Sequence, residues 1–176
     1  MGFERTASRT EWEGKIATVR VDTFRHDDGE EVEREIVGHP GAVAVVAHDD
    51  EHVWLVRQPR EATGRPDLLE LPAGKYDVDD EPPLQTAQRE LAEEIGRAAE
   101  HWEHVKAFFT SPGFTDERVD VYLATGLSEA EAEAEEEERI EIVAWPLARL
   151  DDAIDETEDS KTLIGLLLLR ERLARR

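Results

Sequence analysis

No cysteine occurs anywhere in the 176 residues, so neither a disulfide nor a thiolate metal site can form. Lysine is nearly missing as well: of 21 basic residues only four are lysines, Lys15, Lys75, Lys106 and Lys161. Long apolar runs are absent. The longest apolar cluster, Leu163 to Leu169, is interrupted by Gly165 and falls far short of the roughly 20 residues that span a bilayer. Met1 to Thr10 has no apolar centre and is not expected to act as a signal peptide. Nor is there a basic excess: 43 acidic residues against 21 basic ones leave a net charge of -22. Such a chain has no positive patch with which to grip nucleic acid or an anionic membrane. These absences predict a soluble, cytoplasmic protein of one domain, with length enough to bury a core.

The charge that is present has its own consequence. A surplus of this size repels itself in dilute buffer and becomes tolerable once screened. At molar salt the Debye length shrinks to about 3 Å. Abundant Asp and Glu with scarce Lys resembles the proteins of halophilic archaea that accumulate salt internally, and stability is expected to rise with KCl.

Along the chain, Trp12 to Phe24 and Glu31 to Val37 read as strands joined by the His26-Asp27-Asp28-Gly29 turn, an amino-terminal hairpin arm over 1–38. The remainder, 39–176, reads as a core. Ala42 to Ala47 is a continuous apolar run expected as a buried strand, with Val53 to Arg57 as its antiparallel partner. Leu68 to Leu71, Val105 to Thr110, Arg118 to Ala124 and Ile140 to Trp145 are further strands. Ser128 to Glu138 reads as a mobile acidic segment. Pro146 opens a helix to about Ile154, and Ser160 is expected to cap a last helix through Leu173. Strands and helices mix without regular βαβ alternation, which predicts an α+β fold.

The stretch from Gly74 to Gly96 carries the chemistry. A helix starting near Glu81 places Glu90, Glu93 and Glu94 at i, i+3 and i+4 on one face, while Leu84, Ala87, Leu91 and Ile95 form a separate apolar stripe. Pro82 and Pro83 suit the first turn and Gly96 suits the stop. Three like charges on one face weaken an isolated helix, and a divalent cation with a preference for hard oxygen ligands turns that liability into a site. A solvated acidic face is the plain alternative in so acidic a chain. It does not account for Gly74 before the helix, Arg89 beside the first Glu, or Gly96 closing it.

Gly74, Glu81, Arg89, Glu90, Leu91, Glu93, Glu94 and Gly96 together resemble the Nudix box. Two departures stand out: the spacer from Gly74 to Glu81 is one residue longer than usual, and Arg97 occupies a position that is usually hydrophobic. The flanking Glu70-Leu71-Pro72-Ala73-Gly74-Lys75, Arg57-Gln58-Pro59-Arg60 and Ser111-Pro112-Gly113-Phe114 are similar to the ADP-ribose pyrophosphatase group, with Pro112 sixteen residues past Gly96. The likeness runs from about residue 12 to 170. It implies a mixed β-sheet sandwiched between helices. It also implies hydrolysis of the diphosphate of ADP-ribose, or of another nucleoside diphosphate derivative, with Mg²⁺ or Mn²⁺, and a homodimer that exchanges the arm. A silent Nudix-like domain that only binds a nucleotide is disfavoured, since every box carboxylate is present.

The resemblance further assigns roles. Glu90 and Glu94 are core metal ligands, Glu93 shares or bridges, and the Ala73 carbonyl completes the set. Arg89 fixes the Glu93 rotamer. Arg60 contacts phosphate, and Glu70 helps hold the terminal ribose. Arg34 and Glu35 reach the adenine of the partner's substrate, with a surface ion pair as the alternative. Pro112 lies at the substrate. The catalytic base falls in Glu135 to Glu138, aligned as Glu136 with Glu138 as an additional ligand, and Glu117 is the rival.

Overall fold

The computed structural model describes residues 1–78, 80–131 and 139–175. Its strands and helices run β1 (Phe3–Glu13), β2 (Thr18–His26), β3 (Glu31–Gly38), β4 (Ala42–His48), β5 (His52–Arg60), β6 (Arg65–Glu70), β7 (Ala73–Lys75), α1 (Pro83–Ile95), β8 (Arg97–Phe109), β9 (Arg118–Glu129), β10 (Glu141–Pro146), α2 (Leu150–Glu156) and α3 (Ser160–Leu173). The chain divides into two compact units. One joins Met1–Gly41 to Phe108–Arg118; the other joins Ala42–Ala107 to Val119–Arg176.

The first unit is an antiparallel sheet in the order β1-β2-β3. The expected first strand, Trp12 to Phe24, is broken by a turn in which Gly14 N donates to the Ala17 carbonyl, so its start belongs to β1 and its remainder to β2, which pairs with β3 as the expected hairpin. Strand β1 is an addition: all eleven of its residues are exposed, so no alternation of apolar and polar side chains marks it in the sequence. In place of an apolar core this sheet has one buried side chain, Asp22, which is 1% exposed. Its carboxylate accepts from Ser8 Oγ at 2.6 Å, Arg20 Nε at 3.0 Å and Arg5 Nη1 at 3.2 Å. Burial pushes this group up, but the Ser8, Arg20 and Arg5 hydrogen bonds outweigh it and hold Asp22 below the usual carboxylate range.

The second unit is built on a seven-stranded mixed sheet, β10-β5-β4-β9-β8, with β6 beside β5 and β7 beside β4. Every residue of β4 is buried, as its unbroken apolar run predicts. Its antiparallel pairing with β5 is confined to Ala47 and His48, while six residues, Ala42 to Ala47, pair in parallel with β9. Helix α1 lays Ala87, Leu91 and Ile95 against Val43, Val45, Ala47, Val56, Tyr122 and Ala124. Leu84, at the helix start, stays outside at 37% exposure. Burying a Leu of this kind stabilises by about 1.5–3 kcal/mol. Gly96 ends α1 in the left-handed region at φ 63°, where its N–H reaches the Ala92 carbonyl. Arg97, at the hydrophobic position of the motif, lies with its guanidinium 4.4 Å from the centre of the Trp54 ring, so a cation–π contact replaces the packing a hydrophobic residue makes there. Helix α3 is capped not by Ser160 but by Asp159, whose carboxylate accepts from Thr162 N.

Candidate functional site

Arg89 is the hub of the box. Its Nη1 donates to Glu93 at 2.9 Å and lies 2.8 Å from Glu90 Oε1. Its Nη2 reaches Glu81 and Asp77, each at 3.2 Å. The i, i+4 spacing on α1 brings Arg89 to Glu93 as the sequence predicts. Asp77 comes from the lengthened spacer. One guanidinium thus faces four carboxylates, which leaves a local excess of negative charge on hard oxygen donors.

Glu90 is 9% exposed and Glu94 is 7% exposed. Burial is the main influence on Glu90. Arg89 opposes it, the Glu93 and Asp77 charges add to it, and the carboxyl is pushed up to about 7. Gly74 is needed here for a different reason than backbone freedom. Its φ is not positive, but an added Cβ would meet Glu90 Cδ at 1.9 Å, so only glycine lets that carboxylate lie against β7. Glu94 Oε2 accepts from Ala73 N at 2.9 Å, which ties the helix to the same strand. Among the described residues no three acidic or histidine side chains already converge on one point in the manner of a closed metal cage. The donor set nevertheless fits a hard cation: buried carboxylates in excess of their one arginine, two of them against the Ala73-Gly74 backbone.

Beside the box, Glu70 at the end of β6 is fully buried. Arg60 grips it through Nε at 2.6 Å and Nη2 at 2.9 Å, and Lys161 Nζ also donates to its Oε2. Burial pushes Glu70 up, but the Arg60 hydrogen bonds and the Lys161 charge hold it below the usual range. Arg60 and Glu70 therefore form one bidentate pair.

In the first unit, Arg34 and Glu35 stand on β3 opposite Asp22 and Val21. Arg34 Nη1 donates to the Glu33 carbonyl at 2.9 Å. Arg34 also lines a cavity of about 430 Å³ with Phe3, Phe24, Phe109, Pro112 and Phe114. Glu117 accepts from Thr110 Oγ1 at 2.7 Å and lies 3.5 Å from His39 Nδ1. Glu136 and Glu138 lie outside the described residues.

Comparison with known proteins bears directly on this arrangement. A family profile, the NUDIX domain, matches residues 38–166, which hold the box. The chain belongs to the Nudix family. It is 50% identical over 128 residues to an ADP-ribose pyrophosphatase of Mycobacterium tuberculosis, covering 72% of this chain and 61% of that relative, so it spans less than two thirds of that protein. It is 38% identical over 176 residues to the methanol dehydrogenase activator of Bacillus methanolicus, with coverage of 96% and 94%. It is 39% identical over 179 residues to an ADP-ribose pyrophosphatase of Bacillus subtilis, with coverage of 97% and 95%. In fold it is similar to the crystal structure of an ADP compounds hydrolase, with a TM-score of 0.86 and 24% identity over 99% of this chain and 95% of that one.

Two features of this Nudix domain escape sequence reasoning. Lys161 is separated by 91 residues from Glu70, and no local spacing links them. The buried Asp120 on β9 accepts from Tyr76 Oη at 3.0 Å and pairs with His104 Nε2 at 2.7 Å, which anchors the residue two positions past Gly74. Tyr76 follows the box glycine so closely that its position was the available signal.

Proposed function

We propose that this Nudix chain hydrolyses the diphosphate of ADP-ribose, adding water across a P–O–P bridge to release AMP and ribose 5-phosphate. The observation that carries the reading is a complete box, with Glu90 against Gly74, Glu94 on Ala73 N and Glu93 on Arg89, in a chain half-identical to an ADP-ribose pyrophosphatase over 128 residues. Glu90, Glu94, Glu93, the Ala73 carbonyl and Glu138 would hold Mg²⁺ or Mn²⁺. When bound, the ion neutralises charge on the diphosphate and lowers the pKa of an attacking water.

The chain's own residues do the rest. Arg89 holds Glu93 in one rotamer, and Gly74 keeps the Glu90 carboxylate against the strand. Arg60 turns its guanidinium to the phosphate oxygens. Glu136 takes the proton from water as general base; a base must stand within hydrogen-bond reach of that water. Glu117 is less suited to that task, since Thr110 Oγ1 already donates to one of its oxygens. The aromatic cavity around Arg34 and Pro112 suits an adenine ring, with Glu35 on the same strand. The net charge of -22 with four lysines supports a salt-rich cytoplasm as the working medium.

Exposed Phe3, Trp12, Ile16, Phe109 and Phe114 in the first unit support a homodimer formed through it. Sedimentation that finds a monomer at every concentration would remove the dimer. The deciding experiment is a substrate panel in high KCl with Mg²⁺, scoring AMP release from ADP-ribose against other nucleoside diphosphate derivatives. Rapid AMP release from ADP-ribose is expected. Slow release from it, with fast cleavage of another compound, assigns a different nucleoside diphosphate to the same site.

A further inference from the structure

Three of the four lysines are exposed; Lys161 is the exception, its side chain 14% exposed. It sits in the first turn of α3, between two carboxylates. Its Nζ donates to Glu70 Oε2 and lies 3.0 Å from Asp159 Oδ2. Asp159 is itself fixed, since the same Oδ2 accepts from Thr162 N at 2.9 Å and Thr162 Oγ1 at 2.6 Å. The helix is also fastened to the strand it faces: Leu71 N donates to Thr162 Oγ1 at 2.7 Å. The ammonium is therefore anchored from below and shares Glu70 Oε2 with Nη2 of Arg60.

We propose that Lys161 is a positioning residue for the diphosphate, acting through Glu70 to hold the guanidinium of Arg60 in place for the substrate phosphates. The proposal rests on the reading that Arg60 meets the diphosphate.

The geometry supplies the reason. Glu70 engages Nε and Nη2 of Arg60, and Nη1 takes no part in that pair. The Arg60 side chain is 42% exposed while that of Glu70 is 1% exposed, so the guanidinium is the only member of the pair in contact with solvent. A buried carboxylate with one cationic partner holds that partner's charge for itself. With Lys161 on the same carboxylate, Glu70 divides its charge between two cations, while Asp159 holds the ammonium in place beside it. A compact ammonium with three donors serves Glu70 and Asp159 at once.

The test is a double-mutant cycle of Lys161→Met and Arg60→Ala, with Lys161→Arg as the conservative variant. AMP release from ADP-ribose and binding of inorganic pyrophosphate with Mg²⁺ are the two readouts. Lys161→Met is expected to raise KM and the pyrophosphate Kd together by about tenfold, with kcat changed by less than about threefold, because a misaimed contact loses binding geometry. Lys161→Arg should recover part of that affinity. In the Arg60→Ala background Lys161→Met should add less than about twofold, since the two act through one contact.

Multiplicative effects in the cycle overturn the proposal. So does a Lys161→Met variant with a lowered melting temperature and unchanged KM and pyrophosphate Kd, which marks a merely structural lysine. Unchanged pyrophosphate affinity in Arg60→Ala removes the contact being aimed and overturns it as well. If the wild type releases no AMP from ADP-ribose while the pyrophosphate cycle stays coupled, the substrate reading falls and the role of Lys161 stands.

Discussion

The two units of this chain are held together by different physics. Among the described residues, every buried apolar side chain belongs to the second unit, from Ala42 on β4 to Leu169 on α3. The first unit has none. Its one buried side chain is the carboxylate of Asp22, tied to Arg5, Ser8 and Arg20, and its large apolar residues Phe3, Trp12, Phe109 and Phe114 face outward. A core that shields its apolar surface can position buried charges precisely, and the box carboxylates stand on such a core. A sheet held by backbone ladders and a charged hub leaves its apolar surface exposed.

The contrast is broken most directly at Leu91. Leu91→Ala should cost about 2–5 kcal/mol in denaturant unfolding, through lost burial and a residual cavity. A loss under about 1 kcal/mol would mean that α1 is not seated on its core as described.

Next in size is the chemistry that the core supports. Glu94→Gln removes a charge that also anchors Ala73 N, and turnover with Mg²⁺ should fall by about a hundredfold or more while the fold persists. Near-normal turnover in that variant would separate α1 from catalysis.

The charged hub of the first unit is expected to respond more mildly. Asp22→Asn should destabilise by about 1–3 kcal/mol at neutral pH, as hydrogen bonds to a charged group are lost. The sign of its pH dependence follows from its depressed value. The stabilisation is fully present above the unfolded pKa of about 3.9 and is lost as pH falls through the lower folded value. The wild type should therefore lose stability below pH 4 more steeply than Asp22→Asn, and parallel acid limbs for the two proteins would assign no role to Asp22.

The smallest effect spans both units. Raising KCl from 0.1 to 2 M should lift the melting temperature by several degrees, since the net charge of -22 is then screened. A flat profile would detach the composition from salt tolerance.

Part of this protein was legible without coordinates because its rules are local. The i, i+3, i+4 spacing of Glu90, Glu93 and Glu94, the Arg89–Glu93 pair, the Gly96 stop and the unbroken apolar run of β4 are properties of neighbours in the chain, and each forms as its spacing predicts. Burial supplied what spacing could not. Strand β1 has no apolar face to announce it, because pairing with β2 is its only reason to be extended. The parallel union of β4 with β9, the approach of Glu90 to Gly74 and the clasp of Glu70 by Arg60 and Lys161 join residues far apart in the chain. The sequence alone determined that a helix would carry clustered carboxylates. Only the tertiary structure decided that Lys161 would meet Glu70 on β6, because an ion pair across 91 residues leaves no period in the chain and exists once the core has closed around it.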